Sequence, residues 1–457
     1  MTLVHPPEPA SVNPGPQRIR SRPLTGISLG YFMLLLDMTV LSVAEPDLAA
    51  SLGTSIAGLQ WATTGYTVAF AALLLPAGAA ADRYGAERLF RTGVVVFTIA
   101  SLLSAIAPGL WALVLLRAIS GVAAAACVPA SMAMIAQLYP ERAARARAVS
   151  VWAATSGAAV AAGPILGGLL VGVAGWRSVF LVNLPIGLLV LILTRGRAVV
   201  CPRGDRRIDW PAQLVATAVL ALATDALIAA GSRVWIHAAL SSLGSGVSLL
   251  AFRALERRSP APVLDRAVLR SGGVRVGLLV AAVVNFALAG GLFVLPLLLQ
   301  QERHLDPLET GLAFLPLTVP FAVNPTFTGR VVARVGPRRP ILAGLALLAA
   351  GGLALAGGVF ADAGYAWLAP GLLLTGFGVS YVLPSLVAAM VEVAPTGTAG
   401  AVGGLLNAVR QVGATLGVAV MGATLAAGVG WALLLSAALC AVAWLLFALT
   451  SQAGPVR

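Results

Sequence analysis

The sequence predicts an all-α protein that crosses a membrane about fourteen times, and three observations support this fold class. Of 457 residues, 59% are hydrophobic and only 10% are charged, whereas a soluble domain carries about 25% charged residues. The apolar residues fall into runs of about 20, the length that a helix needs to cross the hydrocarbon. Arginine-rich and arginine-poor connections alternate between these runs. A chain of this composition requires the lipid bilayer as its solvent.

Fourteen apolar runs, each bounded by Pro, Gly or charge, are predicted to be spanning helices. They begin near Leu24, Trp61, Leu89, Leu110, Val149, Val179, Trp210, Val234, Val276, Gly311, Ile341, Trp367, Ala399 and Trp431. We expect two six-helix bundles separated by a two-helix insert. The predicted units are an N-terminal tail (1–23), the first bundle (24–195), a linker with the insert (196–260), the second bundle (261–450) and a C-terminal tail (451–457).

The arginines orient these helices. The chain contains no lysine, so all 30 basic residues are arginine. With the N-terminus in the cytoplasm, the cytoplasmic connections and tails hold 25 of the 30 arginines, and the outward connections hold Arg177, Arg233 and Arg303. This asymmetry follows the positive-inside rule. It predicts a multi-pass protein of the inner membrane with both termini cytoplasmic.

Several function classes are disfavoured by composition. A net charge of +13 is compatible with a nucleic-acid partner, but such partners need a basic face with stacking aromatics, and these arginines lie in short loops. Without lysine the chain can have no P-loop or Schiff-base lysine. Cys127, Cys201 and Cys440 are too far apart to indicate a disulfide framework or a metal site. We therefore expect no nucleic-acid partner, metal or cofactor. We expect an ion gradient to supply the energy for any active transport.

An eleven-residue segment occurs twice, each time between the second and third helices of a six-helix unit. The first copy has Gly78, Asp82, Arg83, Gly85 and Arg88; the second has Gly329, Ala333, Arg334, Gly336 and Arg339 at the same positions. Parallel repeats of this kind mark transporters whose halves rock about a central site. Two ordinary turns are the alternative, but the matched position in both halves argues against it.

Several stretches together carry a family resemblance. They are Leu36-Asp37-Met38-Thr39-Val40, Ala44-Glu45-Pro46, Leu59-Gln60-Trp61, Arg117-Ala118-Ile119-Ser120-Gly121, Pro129-Ala130-Ser131, Gly163-Pro164-Ile165-Leu166-Gly167-Gly168, Gly175-Trp176-Arg177, Asn183-Leu184-Pro185 and Asn407-Ala408-Val409-Arg410-Gln411-Val412-Gly413. With the repeat, the chain resembles the major facilitator superfamily over roughly residues 25 to 425, and specifically its fourteen-helix drug:proton antiporter family.

This resemblance implies a monomeric antiporter rather than an enzyme. It would export hydrophobic or amphipathic small molecules (drugs, antibiotics or secondary metabolites) in exchange for protons, by alternating access. Gly163, Pro164, Gly167 and Gly168 resemble the antiporter motif, and Asp82, Arg83 and Arg88 resemble a latch that closes the cytoplasmic side. The sequence departs from the family at Ser42, Glu45, Ser120 and Asp225, where Asn, a small apolar residue, Gln and an apolar or aromatic residue are usual.

Three acids lie within or beside the apolar runs. An ionisable side chain in hydrocarbon costs at least about 2.5–3.5 kcal/mol, so its retention calls for a reason. Asp37 lies thirteen residues into the first run and is expected to face the central cavity and carry the proton; the alternative is a carboxylate satisfied by hydroxyls such as that of Thr39. Glu45 is interpreted first as exposed at the periplasmic mouth and second as part of the pathway. Asp225, in the insert, is expected to be protonated, paired with a neighbouring helix, or part of a proton route.

Two arginines also lie within apolar runs. Arg117 resembles the family arginine associated with proton coupling and is the candidate partner of Asp37; the alternative is a side chain that extends to the outer interface. Arg410, with Asn407 and Gln411, places polar groups on nearly one face of a helix, as expected for a cavity wall. A specific metabolite carrier without proton coupling, and more remotely a membrane-embedded enzyme or lipid-handling protein, remain alternative functions.

Overall fold

The computed structural model of the protein describes residues 21–196, 209–259, 270–394 and 399–450. The regular elements in these ranges are helices. They are α1 (Ser21–Leu52), α2 (Ile56–Tyr84), α3 (Ala86–Ala105), α4 (Leu110–Leu138), α5 (Arg142–Ala174), α6 (Ser178–Leu181), α7 (Asn183–Leu193), α8 (Trp210–Gly231), α9 (Trp235–Arg258), α10 (Gly272–Leu297), α11 (Pro307–Ala313), α12 (Leu315–Val323), α13 (Pro325–Val335), α14 (Arg338–Phe360), α15 (Tyr365–Val393), α16 (Ala399–Thr424) and α17 (Val429–Thr450). Most of the predicted tails, and Cys201, lie outside the described residues.

Twelve of the described helices are long and apolar enough to cross a membrane. The two other predicted spans form shorter, interrupted helices: one is split into α6 and α7, and the other into α11, α12 and α13. Proline explains these breaks, because its ring excludes the carbonyl four residues earlier and it has no N–H to donate. Pro185 follows the first break, and Pro325 begins α13 directly after another. The all-α membrane fold is confirmed, and the count of fourteen stays a prediction.

The internal repeat extends from sequence to packing. In the first half, α1 packs along α5 and α3 along α4; in the second half, α10 packs along α16 and α14 along α15. These are the same pairings, first helix with fifth and third with fourth. The insert helices α8 and α9 pack on each other, and α8 lies against both α2 and α16. The insert therefore covers one seam between the two halves.

The repeated turns require glycine in both halves. Gly85, between α2 and α3, has φ of +97°, and Gly336, between α13 and α14, has φ of +75°. L-residues with a side chain rarely adopt such angles. The charged residues Asp82, Arg83 and Arg88 of the first copy are exposed in this conformation, as are Gly329, Arg334 and Arg339 of the second. We call this side of the bundle the repeat end.

The opposite side, where α1 turns into α2, is closed by contacts between the halves. We call it the loop-1 end. Gln60 Nε2 donates to the carbonyls of Val418 and Ala419 at 3.1 and 2.8 Å. Gln300 Nε2 donates to the carbonyl of Val43 at 2.9 Å, and Thr415 Oγ1 donates to Thr67 Oγ1 at 2.7 Å. These bonds hold the halves together at the loop-1 end.

Glycine permits a second closure at this end. A Cβ atom added to Gly168 on α5 would lie 2.2 Å from the carbonyl oxygen of Pro307 at the start of α11. Overpacking of this kind typically costs about 1–3 kcal/mol. We expect Gly168→Ala to lower the thermal unfolding temperature of the purified protein by several degrees. Gly172→Ala, one turn further along α5, is the control because its Cβ would meet nothing within 4 Å; equal temperatures for the two variants would show that this approach is not tight.

Candidate functional site

A buried ion pair lies at the centre of the first half. Arg117 Nη1, on α4, donates to Asp37 Oδ2, on α1. The two side chains are 2% and 1% exposed. Charges removed from water in this way must neutralise each other, because an isolated buried charge is far more costly than a paired one. The structure therefore brings together the acid and the arginine that the sequence suggested as partners.

The second oxygen of Asp37 is also occupied. Asn183 Nδ2, at the start of α7, donates to Asp37 Oδ1 at 2.8 Å and to Ser101 Oγ, on α3, at 3.2 Å. The hydroxyl of Thr39 instead donates to helix carbonyls of α1, at 3.1 Å for Leu35, so the alternative in which Thr39 satisfies the Asp37 carboxylate is wrong. The expectation that Asp37 faces the central cavity is also wrong for this conformation, since its carboxylate points into the first half, where a guanidinium neutralises it.

Arg117 is enclosed on its other sides. Its guanidinium carbon lies 4.7 Å from the ring centroid of Tyr66, on α2, which is cation–π distance, and Nε donates to the carbonyl of Ala62 at 3.4 Å. The alternative in which Arg117 extends to the outer interface is therefore wrong, because an acid within reach makes the bundle interior the better environment. Sequence reasoning missed Tyr66 and Ser101, and it quoted Asn183 only within a family motif.

Glu45 forms a second buried acid further along α1. Its side chain is 2% exposed, so the interpretation that it is exposed at the mouth is wrong. Oε1 accepts a hydrogen bond from Thr63 Oγ1 at 2.8 Å, whereas Oε2 has no hydrogen-bond partner in the described ranges. Eight residues separate Glu45 from Asp37, about 12 Å along a helix. The buried acids of α1 are thus Asp37, near the centre of the first half, and Glu45, nearer the loop-1 end.

The antiporter-like motif lets α5 approach both halves closely. A Cβ on Gly163 would lie 1.9 Å from Thr39 Oγ1, and one on Gly167 would lie 2.6 Å from the carbonyl of Val40. On the other side of α5, a Cβ on Gly311 of α11 would lie 2.4 Å from the carbonyl of Pro164. Small residues therefore fix α5 against α1 within the first half and against α11 across the seam.

A polar group on α16 belongs to the second half. Arg410 Nη1 donates to Asn407 Oδ1 at 3.2 Å, and Asn407 Nδ2 donates to the carbonyl of Gly403 at 3.2 Å. Arg410 Nε and Gln411 Oε1 are buried atoms that have no hydrogen-bond partner among the described residues. The three side chains are partly exposed. They lie on nearly one face of α16, and their role as a cavity wall stays a prediction.

Asp225 lies apart from these residues, in the insert. Its Oδ2 contacts His237 Nε2 at 2.6 Å and accepts from Ser241 Oγ at 2.5 Å, both on α9. Of the three interpretations offered by the sequence, pairing with a neighbouring helix is the one observed. Asp225 also lies six residues before the end of α8 at Gly231. The structure thus gives this acid a local role in joining the two insert helices.

Comparison with known proteins identifies the family. A family model described as the Major Facilitator Superfamily matches residues 27–418 and, in a second match, residues 277–456. The chain belongs to the major facilitator superfamily. The two overlapping matches agree with the internal repeat, since the second begins inside α10, the first helix of the second half.

Relatives within this superfamily are named for drug resistance and export. The chain is 35% identical over 408 residues to the multidrug resistance protein Stp of Mycobacterium tuberculosis, covering 88% of this chain and 75% of that protein. It is 33% identical over 436 residues to the tetracenomycin C resistance and export protein of Streptomyces glaucescens, covering 93% and 80%. A solved POT family transporter in complex with 5-aminolevulinic acid superimposes with a TM-score of 0.73 at 12% identity, covering 94% of this chain and 95% of that one. That likeness shows the fold.

Proposed function

We propose that this major facilitator protein exports hydrophobic or amphipathic small molecules, such as drugs, antibiotics or secondary metabolites, in exchange for protons. The observation that carries the proposal is the enclosed Asp37–Arg117 pair, in which both carboxylate oxygens have partners. A carboxylate in this setting exists in two forms, an ion paired with arginine or a neutral acid. The names of the relatives support antibiotics as cargo.

Proton transfer to Asp37 is the proposed coupling step. A proton that binds Oδ2 removes the negative charge and takes the place of Arg117 as its partner. Arg117 is then released from Asp37. The next acid on α1 toward the loop-1 end is Glu45, which interacts electrostatically with Arg117. Loss of the pair changes the packing of α1 against α4 and so biases the exchange between states. Each proton that moves inward through the full field contributes about 2.3 kcal/mol per 100 mV.

The orientation in the inner membrane is part of the same proposal. With both termini in the cytoplasm, the repeat end is cytoplasmic and the loop-1 end is periplasmic. The structure is then closed on the periplasmic side by Gln60, Gln300 and Gly168, and the latch residues Asp82 and Arg83 are exposed on the cytoplasmic side. Closure of the periplasmic side belongs to the part of the transport cycle in which an exporter takes up its cargo from the cytoplasm.

A growth panel followed by a vesicle assay tests the proposed function. A host that produces the protein should tolerate some hydrophobic antibiotics better than the same host without it. Inside-out vesicles should accumulate these compounds, and a protonophore should abolish the accumulation. Accumulation that survives the protonophore would favour a metabolite carrier without proton coupling, and no accumulation of any compound would reject export.

Thiol labelling tests the orientation. Cys127 and Cys440 are buried free thiols, which leaves Cys201, in the connection between α7 and α8, as the thiol expected to react. We expect a membrane-impermeant maleimide to label the protein in inside-out vesicles but not in intact cells, and the Cys201→Ser variant to remain unlabelled in both. Labelling of Cys201 in intact cells would invert the orientation.

A further inference from the structure

In the described part of the chain, the charge of Arg410 has no ion-pair partner. Among the described residues, no carboxylate lies within ion-pair distance of it, and its side-chain bond is to the neutral Asn407 Oδ1 at 3.2 Å. Nε of Arg410 is buried without a partner. Because Nη1 is occupied by Asn407, the edge formed by Nε and Nη2 is left for another group. An ionisable side chain inside a membrane bundle is costly and marks a pathway or a partner, so this edge of Arg410 is a candidate binding site for an external anion.

The first half carries a stacked aromatic pair. The rings of Tyr31, on α1, and Trp152, on α5, are stacked with centroids 4.0 Å apart and planes inclined by 4°. Both residues are partly exposed, and Trp152 Nε1 is buried without a hydrogen-bond partner in the described part of the chain. A stacked pair of this kind presents a flat apolar face with an N–H donor at its edge.

The cation and the aromatic pair lie on opposite sides of the junction between the halves. Tyr31 and Trp152 pack against a core cluster of the first half that also contains Ala408 of α16, two residues before Arg410. Tyr31 and Arg410 are also close enough to interact electrostatically. Tyr31 is the eleventh residue of α1, Trp152 the eleventh of α5 and Arg410 the twelfth of α16. In the proposed topology all three helices start at the repeat end, so the three side chains lie at the same depth. The repeat end lies opposite the contacts that close the loop-1 end.

We propose that this junction, defined by Tyr31, Trp152, Arg410 and Gln411, binds planar aromatic compounds that carry an acidic group. The ring stacks on the Tyr31–Trp152 face, and the carboxylate accepts two parallel bonds from Nε and Nη2 of Arg410, the geometry in which guanidinium binds carboxylate most strongly. Gln411 Oε1 accepts from a hydroxyl or amide of the ligand. The inference rests on the proposed export function and gives it a substrate class; an amphipathic cation is disfavoured here, because Arg410 would repel it.

Three probes with one ring system and different charges test this site. They are 2-anthracenecarboxylate, 2-anthracenecarboxamide and protonated 2-(aminomethyl)anthracene, with binding to the purified protein in nanodiscs followed by anthracene fluorescence anisotropy. We expect the carboxylate to bind at least tenfold more tightly than the amide, and the ammonium compound to bind most weakly. Arg410→Gln should remove the preference by weakening carboxylate binding at least tenfold with little change for the amide. Trp152→Leu should weaken all three by similar factors.

Matched variants control for loss of structure. Arg257→Gln and Trp235→Leu change the same residue types at exposed positions of α9 and should leave all three affinities unchanged. Arg410→Lys retains the charge but cannot form the bidentate pair, so it should restore part of the carboxylate preference. It also replaces Arg410→Gln as the test variant if Arg410→Gln does not fold. Equal affinities in the wild-type protein, or a carboxylate preference that survives Arg410→Gln, would overturn the inference.

The proposed export function and the proposed anion site can be rejected independently of each other. Proton-driven uptake of neutral antibiotics by vesicles, in a protein with no carboxylate preference, would reject the anionic site and leave export intact. A clear carboxylate preference in a protein that accumulates nothing in vesicles would reject export and leave the binding site.

Discussion

Asp37→Asn is expected to abolish proton-driven efflux while substrate binding and downhill exchange are retained. Asparagine keeps the size of aspartate and much of its hydrogen bonding to Asn183, but it cannot exchange a proton. Efflux is measured as protonophore-sensitive accumulation in inside-out vesicles, and downhill exchange as release of preloaded substrate. We expect accumulation to fall to background and exchange to continue.

The same substitution leaves Arg117 buried without its counter-charge. Breaking a buried pair from one side typically costs about 3–5 kcal/mol, so lost activity alone could reflect a poorly folded protein. The double variant Asp37→Asn with Arg117→Gln removes both charges and should recover thermal stability without recovering coupled efflux. Recovery of efflux in the double variant would show that the pair is structural.

Asp225→Asn is the matched acid outside the bundles. Its carboxylate joins α8 to α9 through His237 and Ser241, and we expect much less effect on coupling. If Asp225→Asn stops coupled transport and Asp37→Asn does not, the proton path runs through the insert and the assignment of Asp37 is wrong.

Asp82→Asn is expected to reduce transport more than tenfold while expression stays normal. Asp82 is exposed at the repeat end, and its proposed latch role is to stabilise the state in which that end is closed. A tenfold change in the balance between states corresponds to about 1.4 kcal/mol, which is within the range of a few charge-assisted hydrogen bonds. The readout is the initial rate of accumulation in vesicles, normalised to the amount of protein.

Glu141→Gln is the control for the latch, because Glu141 is another exposed acid at the repeat end, at the start of α5. It should leave the transport rate unchanged. Unchanged transport in Asp82→Asn as well would mean that the turn is only a connector, and the repeat would then describe the fold without contributing to the mechanism.

The membrane fold follows from the sequence because hydrocarbon imposes a minimum length on apolar helices and the arginines alternate between connections. The repeat could also be predicted from the sequence, because Gly85 and Gly336 occur at the same position of its two copies. Both glycines adopt positive φ. The interruptions of the sixth and tenth predicted spans were not anticipated, although Pro185 and Pro325 mark them. Apolar content is the same in a continuous helix and a broken one, and only the positions of the prolines distinguish them.

The site was predicted in composition but not in orientation. Depth along a helix can be counted from the sequence, whereas rotation about its axis depends on neighbours such as Asn183, 146 residues from Asp37. Glu45 illustrates the same difficulty: Pro46 suggested a helix end, but α1 continues through Pro46 to Leu52, which places Glu45 inside the bundle. The aromatic pair of Tyr31 and Trp152 could not be predicted either, since two residues on separate helices stack only after α1 and α5 pack together.

Proton movement that accompanies substrate tests the central claim most directly. In proteoliposomes that contain only this protein, with an acidic lumen and the cytoplasmic face outward, a trapped pH-sensitive dye reports protons leaving as a substrate from the growth panel enters. The proposed antiport predicts that adding substrate makes the lumen more alkaline with the wild-type protein but not with Asp37→Asn. Substrate entry without any change in lumen pH, or the same pH change with Asp37→Asn, would contradict it.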